Sequence, residues 1–396
     1  MKILICTFSF PAPKINHFGG NFVAGEAIAY AENGANVFVL TPHIKGADKK
    51  EQIHENVNVI RFQYLWPEFA QTLLRPNQPI YSQKSLLSLF QVPFLCFFFA
   101  INIYRHAGWA DIIHSQWTLS ALLALPSKWL RRVKIVLTAR GSDIRLLPLW
   151  LNRFIHNKVD GAIDCFGPQS WNEEYKKKFQ ANFIILPLIV YNNSSAKMPA
   201  DLKDTLNKKP GTFVILYVGR FDYAKIKDHN LPLLDLIHAI NIISPLRNDF
   251  HVVYLGDGEA TAEMSELIAK YQLAEYISLL GPKSNVFDYI RICDLGVGGI
   301  AFNGVSEEFT VEEIPQVLVR GGANANSPWV DRKNAVFIEG GNVPDIVEKL
   351  KWSLDNRGSL KRIGEKAKRD MEKLMTDSKH GGKLYLQQFQ KLLDKG

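Results

Sequence analysis

The chemistry in this chain is most legible where apolar runs end in polar residues. Phe213-Val214-Ile215-Leu216-Tyr217-Val218 runs into Gly219-Arg220, with Lys225 and Lys227 a few positions on. A guanidinium fork with a lysine point charge suits a diphosphate lying across the end of a strand, although the same residues also make a solvated basic loop. Near the start, Ile3–Phe8 is followed by a proline-rich turn and then His17-Phe18-Gly19-Gly20-Asn21 before a helical pattern. Paired glycines there either let backbone approach a phosphate at a helix start or simply form a tight turn. The spacing is not Gly-x-Gly-x-x-Gly, so dinucleotide binding is not indicated. Asp111-Ile112-Ile113-His114-Ser115-Gln116-Trp117 and Thr138-Ala139-Arg140-Gly141-Ser142-Asp143 also end apolar runs in polar groups. Side by side, His114, Arg140 and Asp143 would shape a substrate pocket, while a single histidine is more often a satisfied structural residue.

Such groups meet only if a scaffold brings strand ends to one edge. Continuous apolar runs at Ile3–Phe8, Asn36–Leu40, Val57–Phe62, Asp111–His114, Lys134–Thr138, Gly161–Phe166 and Asn182–Leu186 alternate with helical patterns, one of them near Phe22–Glu32. That alternation predicts a parallel sheet covered on both faces. Residues 191–211 turn to Asn, Ser, Lys, Pro and Asp and read as a linker. Strands then restart at Phe213–Val218, His251–Leu255, Tyr276–Leu280, Leu295–Ile300, Gln316–Val319 and Ala335–Ile338, with helices near Leu233–Ile243, Thr261–Tyr271 and Val343–Leu354. The expected fold class is α/β: two Rossmann-like, doubly wound parallel-sheet domains in series, 1–190 and 212–375. A charged helical tail runs from Leu360 to Leu393.

With 396 residues, 47% hydrophobic and 22% charged, the chain can bury two ordinary cores, and it carries no repeat or low-complexity tract. Residues 1–190 hold 20 Lys/Arg against 12 Asp/Glu, whereas 191–396 hold 27 of each, so the whole net charge of +8 sits in the first half. This points to a polyanionic neighbour: nucleic acid, an anionic membrane or a phosphorylated substrate. No nucleic-acid-binding motif accompanies the scattered positive residues, so nucleic acid is disfavoured. Cys6, Cys96, Cys165 and Cys293 lie far apart, which predicts neither a disulfide scaffold nor a structural zinc site. The apolar start is too brief for a signal peptide, and the expected location is a reducing cytoplasm. Ser85–Tyr104 is long and uncharged, but Ser88, Gln91, Pro93 and Asn102 interrupt it. A proline near the middle of such a helix would break it, favouring a buried or interface-lying helix over a spanning one.

In order and spacing, these motifs resemble the GT-B fold glycosyltransferases, and within them the retaining, nucleotide-sugar-dependent family 4. Asp111–Trp117 resembles the family's Asp-val-val-His-ala-His segment, and Thr138–Asp143 its Thr-x-His-Gly-Ser-Asp. Val218-Gly219-Arg220 with Lys225 or Lys227 and then Asp228-His229 is similar to its donor-diphosphate motif. Leu255-Gly256-Asp257-Gly258-Glu259 resembles its Gly-x-Gly-Asp-Gly-pro turn, Leu279-Leu280-Gly281 the strand before the nucleobase loop, and Ile292-Cys293-Asp294 its ala-ala-Asp. The resemblance implies donor contacts at Gly19, Gly20, Arg220, Lys225, Lys227, Gly256, Asp257, Lys283, Asn303, Gly304, Ser306, Glu307 and Thr310. It implies catalytic roles for His114, Arg140, Asp143, Arg220 and Lys225, no metal and no cofactor beyond the nucleotide diphosphate sugar itself. It further implies a cleft between the domains, with residues 376–396 returning as a helix to the acceptor-binding first domain. A UDP- or GDP-linked donor, a saccharide or lipid-linked saccharide acceptor and peripheral contact with the inner face of an anionic membrane complete the expectation.

Two departures bear on activity. Arg140 stands where the family usually has a histidine before Gly-Ser-Asp. The family's two glutamates, separated by seven residues, have no counterpart in Asn303–Pro315, where the ribose-binding position falls on Thr310, Val311 or Pro315. These departures motivate an alternative in which the chain is a catalytically impaired homologue serving as a partner subunit or glycan-binding module. A nucleotide-sugar epimerase of the same fold would require acid/base carboxylates that the sequence does not locate.

Overall fold

A strand whose sheet is covered on both faces has no polar face to show, which is why unbroken runs of Val, Ile and Leu become parallel strands here. The computed structural model describes residues 1–76, 85–139, 147–164, 183–192, 197–203, 211–223, 226–227, 231–299, 304–321 and 328–395. The chain divides into two compact units, Met1–Tyr191 with Thr376–Gly396, and Asn192–Met375.

The first unit contains β1 (Lys2–Cys6), β2 (Asn36–Pro42), β3 (Lys50–His54), β4 (Val57–Phe62), β5 (Ile112–Gln116), β6 (Lys134–Thr138), β7 (Gly161–Asp164) and β8 (Phe183–Ile185). They form one sheet in the order β3-β4-β2-β1-β5-β6-β7-β8. Every pairing is parallel except that of β3 with β4. β3 is a difference from the sequence reading. Its Lys50-Glu51-Gln52-Ile53-His54 has no apolar run, and its charges guard an open sheet edge against further pairing.

Helices α1 (Asn21–Glu32), α2 (Leu86–Leu89), α3 (Val92–Ala107), α4 (Thr118–Arg131) and α5 (Leu149–Lys158) belong to this unit. Pro93 does not break the apolar segment at its middle as expected. It sits in the first turn of α3, where no intrahelical donor is lost. Leu95, Phe99, Ile103 and Ala107, four residues apart along α3, are buried in the core with Leu4, Phe62, Ile113 and Ile135.

The short β9 (Leu188–Val190) lies outside the eight-stranded sheet; in the second unit, β10 (Phe213–Val218), β11 (Phe250–Leu255), β12 (Ile277–Leu279), β13 (Leu295–Gly299), β14 (Gln316–Val319) and β15 (Val336–Ile338) form a sheet in the order β12-β11-β10-β13-β14-β15. All of its pairings are parallel. Its helices are α6 (Leu233–Ile243), α7 (Thr261–Lys270), α8 (Val286–Ile290), α9 (Val305–Val311), α10 (Val343–Asp355) and α11 (Arg357–Met371). Alternate residues of β10 serve opposite faces: Phe213, Ile215 and Tyr217 pack with Ile237, Ile240 and Leu350, and Val214 and Leu216 with Tyr289 and Phe309. In both sheets strand order reverses beside the first strand, between β1 and β5 and between β10 and β13, which is where doubly wound folds bind ligands.

The helical tail is two helices, not one. After α11 the chain extends through β16 (Met375–Asp377), and Asp377 then caps α12 (Ser378–Asp394) by accepting from the His380 amide. Helix α12 packs on α1 within the first unit. At Gly382 a Cβ would lie 2.3 Å from the Ala29 carbonyl oxygen, so the small residue sets how near the two helices come.

Candidate functional site

The residues singled out from sequence fall into two groups, one in each unit. In the second unit the loops after β10 and β11 lie backbone on backbone. The Gly219 amide donates to the Leu255 carbonyl at 3.0 Å, the Phe221 amide to the Asp257 carbonyl at 3.0 Å and the Gly256 amide to the Gly281 carbonyl at 3.0 Å. A Cβ on Gly256 would fall 1.8 Å from the Gly219 oxygen, so only glycine allows this approach. Asp257 serves the turn itself, its Oδ1 accepting from the Gly258 amide (2.8 Å) and from the Thr261 hydroxyl (2.8 Å) at the start of α7. This stacking holds Arg220 just past the end of β10, partly exposed and 3.1 Å from the Asp222 carboxylate. Lys227 is exposed nearby in sequence. Arg140, Asp143, Lys225 and Asn303 lie outside the described residues.

The neighbouring β13 is rich in glycine, Leu295-Gly296-Val297-Gly298-Gly299, because α9 lies directly on it. A Cβ on Gly296 would meet the Phe309 ring at 2.6 Å. Helix α9 starts at Gly304, whose amide donates to Glu307 Oε2 at 2.7 Å. Glu307 is buried, and its Oε1 has no hydrogen-bond partner among the described residues. Burial pushes this carboxyl up to about 7. Glu308, half-buried beside it, is pushed to about 8, by burial first and by the Glu307 charge second. A carboxyl pair that holds protons near neutrality can sit beside a diphosphate without adding two like charges to it.

Other expected donor contacts face elsewhere. Thr310 is buried, its hydroxyl donating to the Ser306 carbonyl (2.7 Å) and accepting from Gln316 Nε2 (3.1 Å), so it points at β14 and not at a ribose. Ser306 is buried in the same turn. Lys283, in the loop after β12, pairs with Asp201 at 2.8 Å, and the Tyr289 hydroxyl donates to the same carboxylate. The sequence reading missed Glu308, Gln316 and Asp201. Gln316 had a visible signal, a polar residue opening an otherwise apolar strand.

At the switch point of the first unit, Gly20 caps α1 with φ 85°, and Ser9 Oγ lies 3.4 Å from His17 Nε2 beneath the Gly19–Gly20 turn. Trp117, with φ 71°, follows β5 as the N-cap of α4 and stands edge-on to Phe22 in the first turn of α1, 5.9 Å between rings. His114 does not reach this rim as the pocket reading expected. It lies at the middle of β5, so its side chain leaves the face of the sheet and is buried beneath α1 and α12. Its Nδ1 is 3.3 Å from the Tyr30 hydroxyl, its Nε2 2.9 Å from Thr138 Oγ1, and its ring 5.4 Å from that of Phe389. Gln116 Nε2 donates to the buried Glu26 carboxylate at 2.7 Å, completing a polar network inside the unit. Hydrogen-bonded networks of this kind fix a core's geometry, and His114 is held inside one.

Among known proteins, no family model matches the sequence. Over 157 residues the chain is 28% identical to the N-acetylgalactosamine-N,N'-diacetylbacillosaminyl-diphospho-undecaprenol 4-alpha-N-acetylgalactosaminyltransferase of Campylobacter jejuni; the match spans 39% of this chain and 40% of that relative. Solved structures correspond over the full length. Sucrose-phosphate synthase from Thermosynechococcus elongatus superposes with a TM-score of 0.72 at 16% identity, covering 100% of both chains. The trehalose-6-phosphate synthase OtsA gives 0.68 at 11%, covering 98% of this chain and 99% of its own. Anabaena HepE, in complex with UDP and glucose, gives 0.66 at 14%, covering 99% and 100%. With two doubly wound units in series and the last helix packed on the first, the chain has the GT-B fold of glycosyltransferases.

Proposed function

We propose that the chain is a retaining glycosyltransferase of the family 4 type that takes its sugar from a nucleotide diphosphate sugar. The observation that carries this reading is the second switch point, where a glycine-stacked loop presents Arg220 at the end of β10 and the start of α9 follows the adjacent β13. Arg220, with Lys225 or Lys227, offsets the charge that grows on the departing diphosphate in place of a metal ion. The bond between the sugar's anomeric carbon and the diphosphate breaks, and the acceptor oxygen attacks from the same face. The acceptor's proton passes to the leaving diphosphate.

Uridine is the favoured base, since HepE was crystallised with UDP and UDP-glucose; a GDP-linked donor is the second choice. A saccharide on a lipid diphosphate is the favoured acceptor class, by analogy with the Campylobacter relative, and surface-glycan assembly is the setting. The second reading, a nucleotide-binding homologue without turnover, draws support from the buried Thr310 at the expected ribose position.

The test is a thermal-shift screen against UDP, GDP, dTDP and ADP in EDTA. One nucleotide should raise the midpoint, by an amount corresponding to about 2.7 kcal/mol at a hundredfold excess over Kd, and Arg220→Ala should remove the rise. Binding without sugar transfer to any lipid-linked acceptor supports the second reading, and no shift with any nucleotide defeats the first.

A further inference from the structure

Doubly wound sheets take their ligands at the carboxyl ends of the strands, yet the first unit also has a cavity at the opposite end. A space of about 360 Å³ lies where β1, β2 and β4 begin, lined by Lys2, Asn36, Phe38 and Asn58 and, from neighbouring turns, by Asn56 and Trp109. Its volume is at the lower end of the range for small-molecule sites, roughly 300–1,000 Å³. Strand register builds it. Asn36 pairs with Lys2 and Phe38 with Asn58, and alternation puts Asn36 and Phe38 on one face of β2, so all four side chains share that face. It is the face covered by α3, since Phe38 packs against the core that holds Phe99 and Ile103. Helix α3 stops at Ala107, and in the turn beyond it Trp109 lies on Phe38, 4.2 Å between ring centroids and 20° between planes. One wall of the cavity is therefore a flat apolar surface made by two rings, and the rest is polar.

Those polar groups are unspent. Among the described residues, no hydrogen bond or ion pair engages the side chains of Lys2, Asn36, Glu55, Asn56 and Asn58 or the Trp109 indole N–H. Asn56 has a local reason, because it is the second residue of the two-residue turn between β3 and β4, where asparagine is favoured. Asn58 has none. It lies inside β4, in the run Val57-Asn58-Val59-Ile60 and beside Phe38, although asparagine is a poor strand former. A position that folding alone would fill with valine or isoleucine keeps a carboxamide that bonds to nothing in the fold.

The lining selects the ligand. An apolar molecule would leave the carboxamides without partners, and a net charge on the ligand would be opposed by Lys2 or by Glu55, which also borders the cavity. Carboxamides both donate and accept, as hydroxyl groups do, and the ring pair suits the C–H face of a cyclic polyol. We propose that this cavity binds a neutral sugar ring, placed against the Phe38–Trp109 pair and hydrogen-bonded by Asn36 and Asn58. It lies at the far end of the sheet from the switch point of the same unit, so it is an accessory site and does not depend on the sugar-transfer reading.

Saturation-transfer NMR on the full-length protein tests this, with glucose, galactose, N-acetylglucosamine and N-acetylgalactosamine as probes and uridine as the control. At least one sugar should bind, and Asn58→Val should weaken it about tenfold. The thermal midpoint of Asn58→Val should hold or rise, because valine suits the strand better and no hydrogen bond is lost. Trp109→Ala should remove the saturation-transfer signal as well. An Asn58→Val protein that binds the sugar as tightly as its parent overturns the proposal, as does a parent that binds none of the four or binds uridine alone. Binding that UDP displaces, or that Arg220→Ala removes, assigns the sugar to the second unit and likewise overturns it. The thermal response to nucleotides should be the same in Asn58→Val as in the parent, so this proposal and the enzymatic reading fail separately.

Discussion

Arg220 and His114 flank equivalent switch points from opposite sides, Arg220 after β10 and His114 on β5, the counterpart of β13, and their side chains meet opposite environments. Arg220 stands beyond the last residue of β10, partly exposed. His114 is the third of five residues in β5 and is buried against Tyr30, Thr138 and Phe389. In a parallel sheet covered on both faces, a polar residue inside a strand enters the core, and one that has passed the strand's end reaches the ligand edge. The two sheets therefore share a topology while assigning their polar residues to different tasks. The surfaces differ as well: the first half of the chain holds the entire net positive charge and the second is balanced.

The comparison breaks most visibly at these two residues. If transfer chemistry lives in the second unit, Arg220→Ala lowers kcat/KM by about 10²–10³-fold, a loss on the order of 3–4 kcal/mol in transition-state stabilisation, without changing the midpoint of the nucleotide-free protein. His114→Ala should do the reverse, lowering stability by about 2 kcal/mol while leaving the UDP-induced rise intact. Loss of transfer in a His114→Ala protein of unchanged midpoint would place His114 at the chemistry after all.

Gly256→Ala sharpens the contrast between loops. Its Cβ would meet the Gly219 oxygen at 1.8 Å, so the loops after β10 and β11 must part, at about 3 kcal/mol in stability and with loss of nucleotide binding. The Gly382→Ala change, against Ala29, should destabilise by a similar amount but spare nucleotide affinity. Calorimetry with and without UDP distinguishes the two.

The smallest effect concerns pH. Glu307 and Glu308 titrate at about 7 and about 8 in the folded protein, above ordinary carboxyls, so folding favours their protonated forms. Their contribution to stability is complete below the ordinary carboxylate range and is lost as pH rises through 7 and 8. Glu307→Gln, which keeps an acceptor for the Gly304 amide, should flatten the fall in midpoint between pH 5 and 8 by an amount on the order of 2 kcal/mol. An unaltered pH profile would mean that this carboxyl titrates normally. Nucleotide affinity should also decline over this range, since a diphosphate beside α9 favours the protonated pair.

Much of the fold was legible because periodicity alone reports it. Val57–Phe62, Lys134–Thr138, Phe213–Val218, Gln316–Val319 and Leu233–Ile243 coincide with the observed elements residue for residue. The polar β3 escaped because edge strands need no apolar run, and the break between α11 and α12 escaped because helical periodicity hides an N-cap at Asp377. At the site, Gly219-Arg220 and the Gly256 turn were readable from their place after strands. The direction taken by His114 and Thr310 was not, because a side chain's facing depends on partners such as Phe389 and Gln316 that are distant in sequence.

Sequence by itself determined the α/β class, the order of strands and helices, the concentration of positive charge in the first half and the strand-end loops, since local hydrophobic periodicity and composition encode all of these. Tertiary structure decided which polar residues enter the core, which carboxyls lose their water and hold protons near neutrality, and which side of α3 stays open. Those outcomes depend on burial, and burial is settled only when segments far apart in the chain pack together.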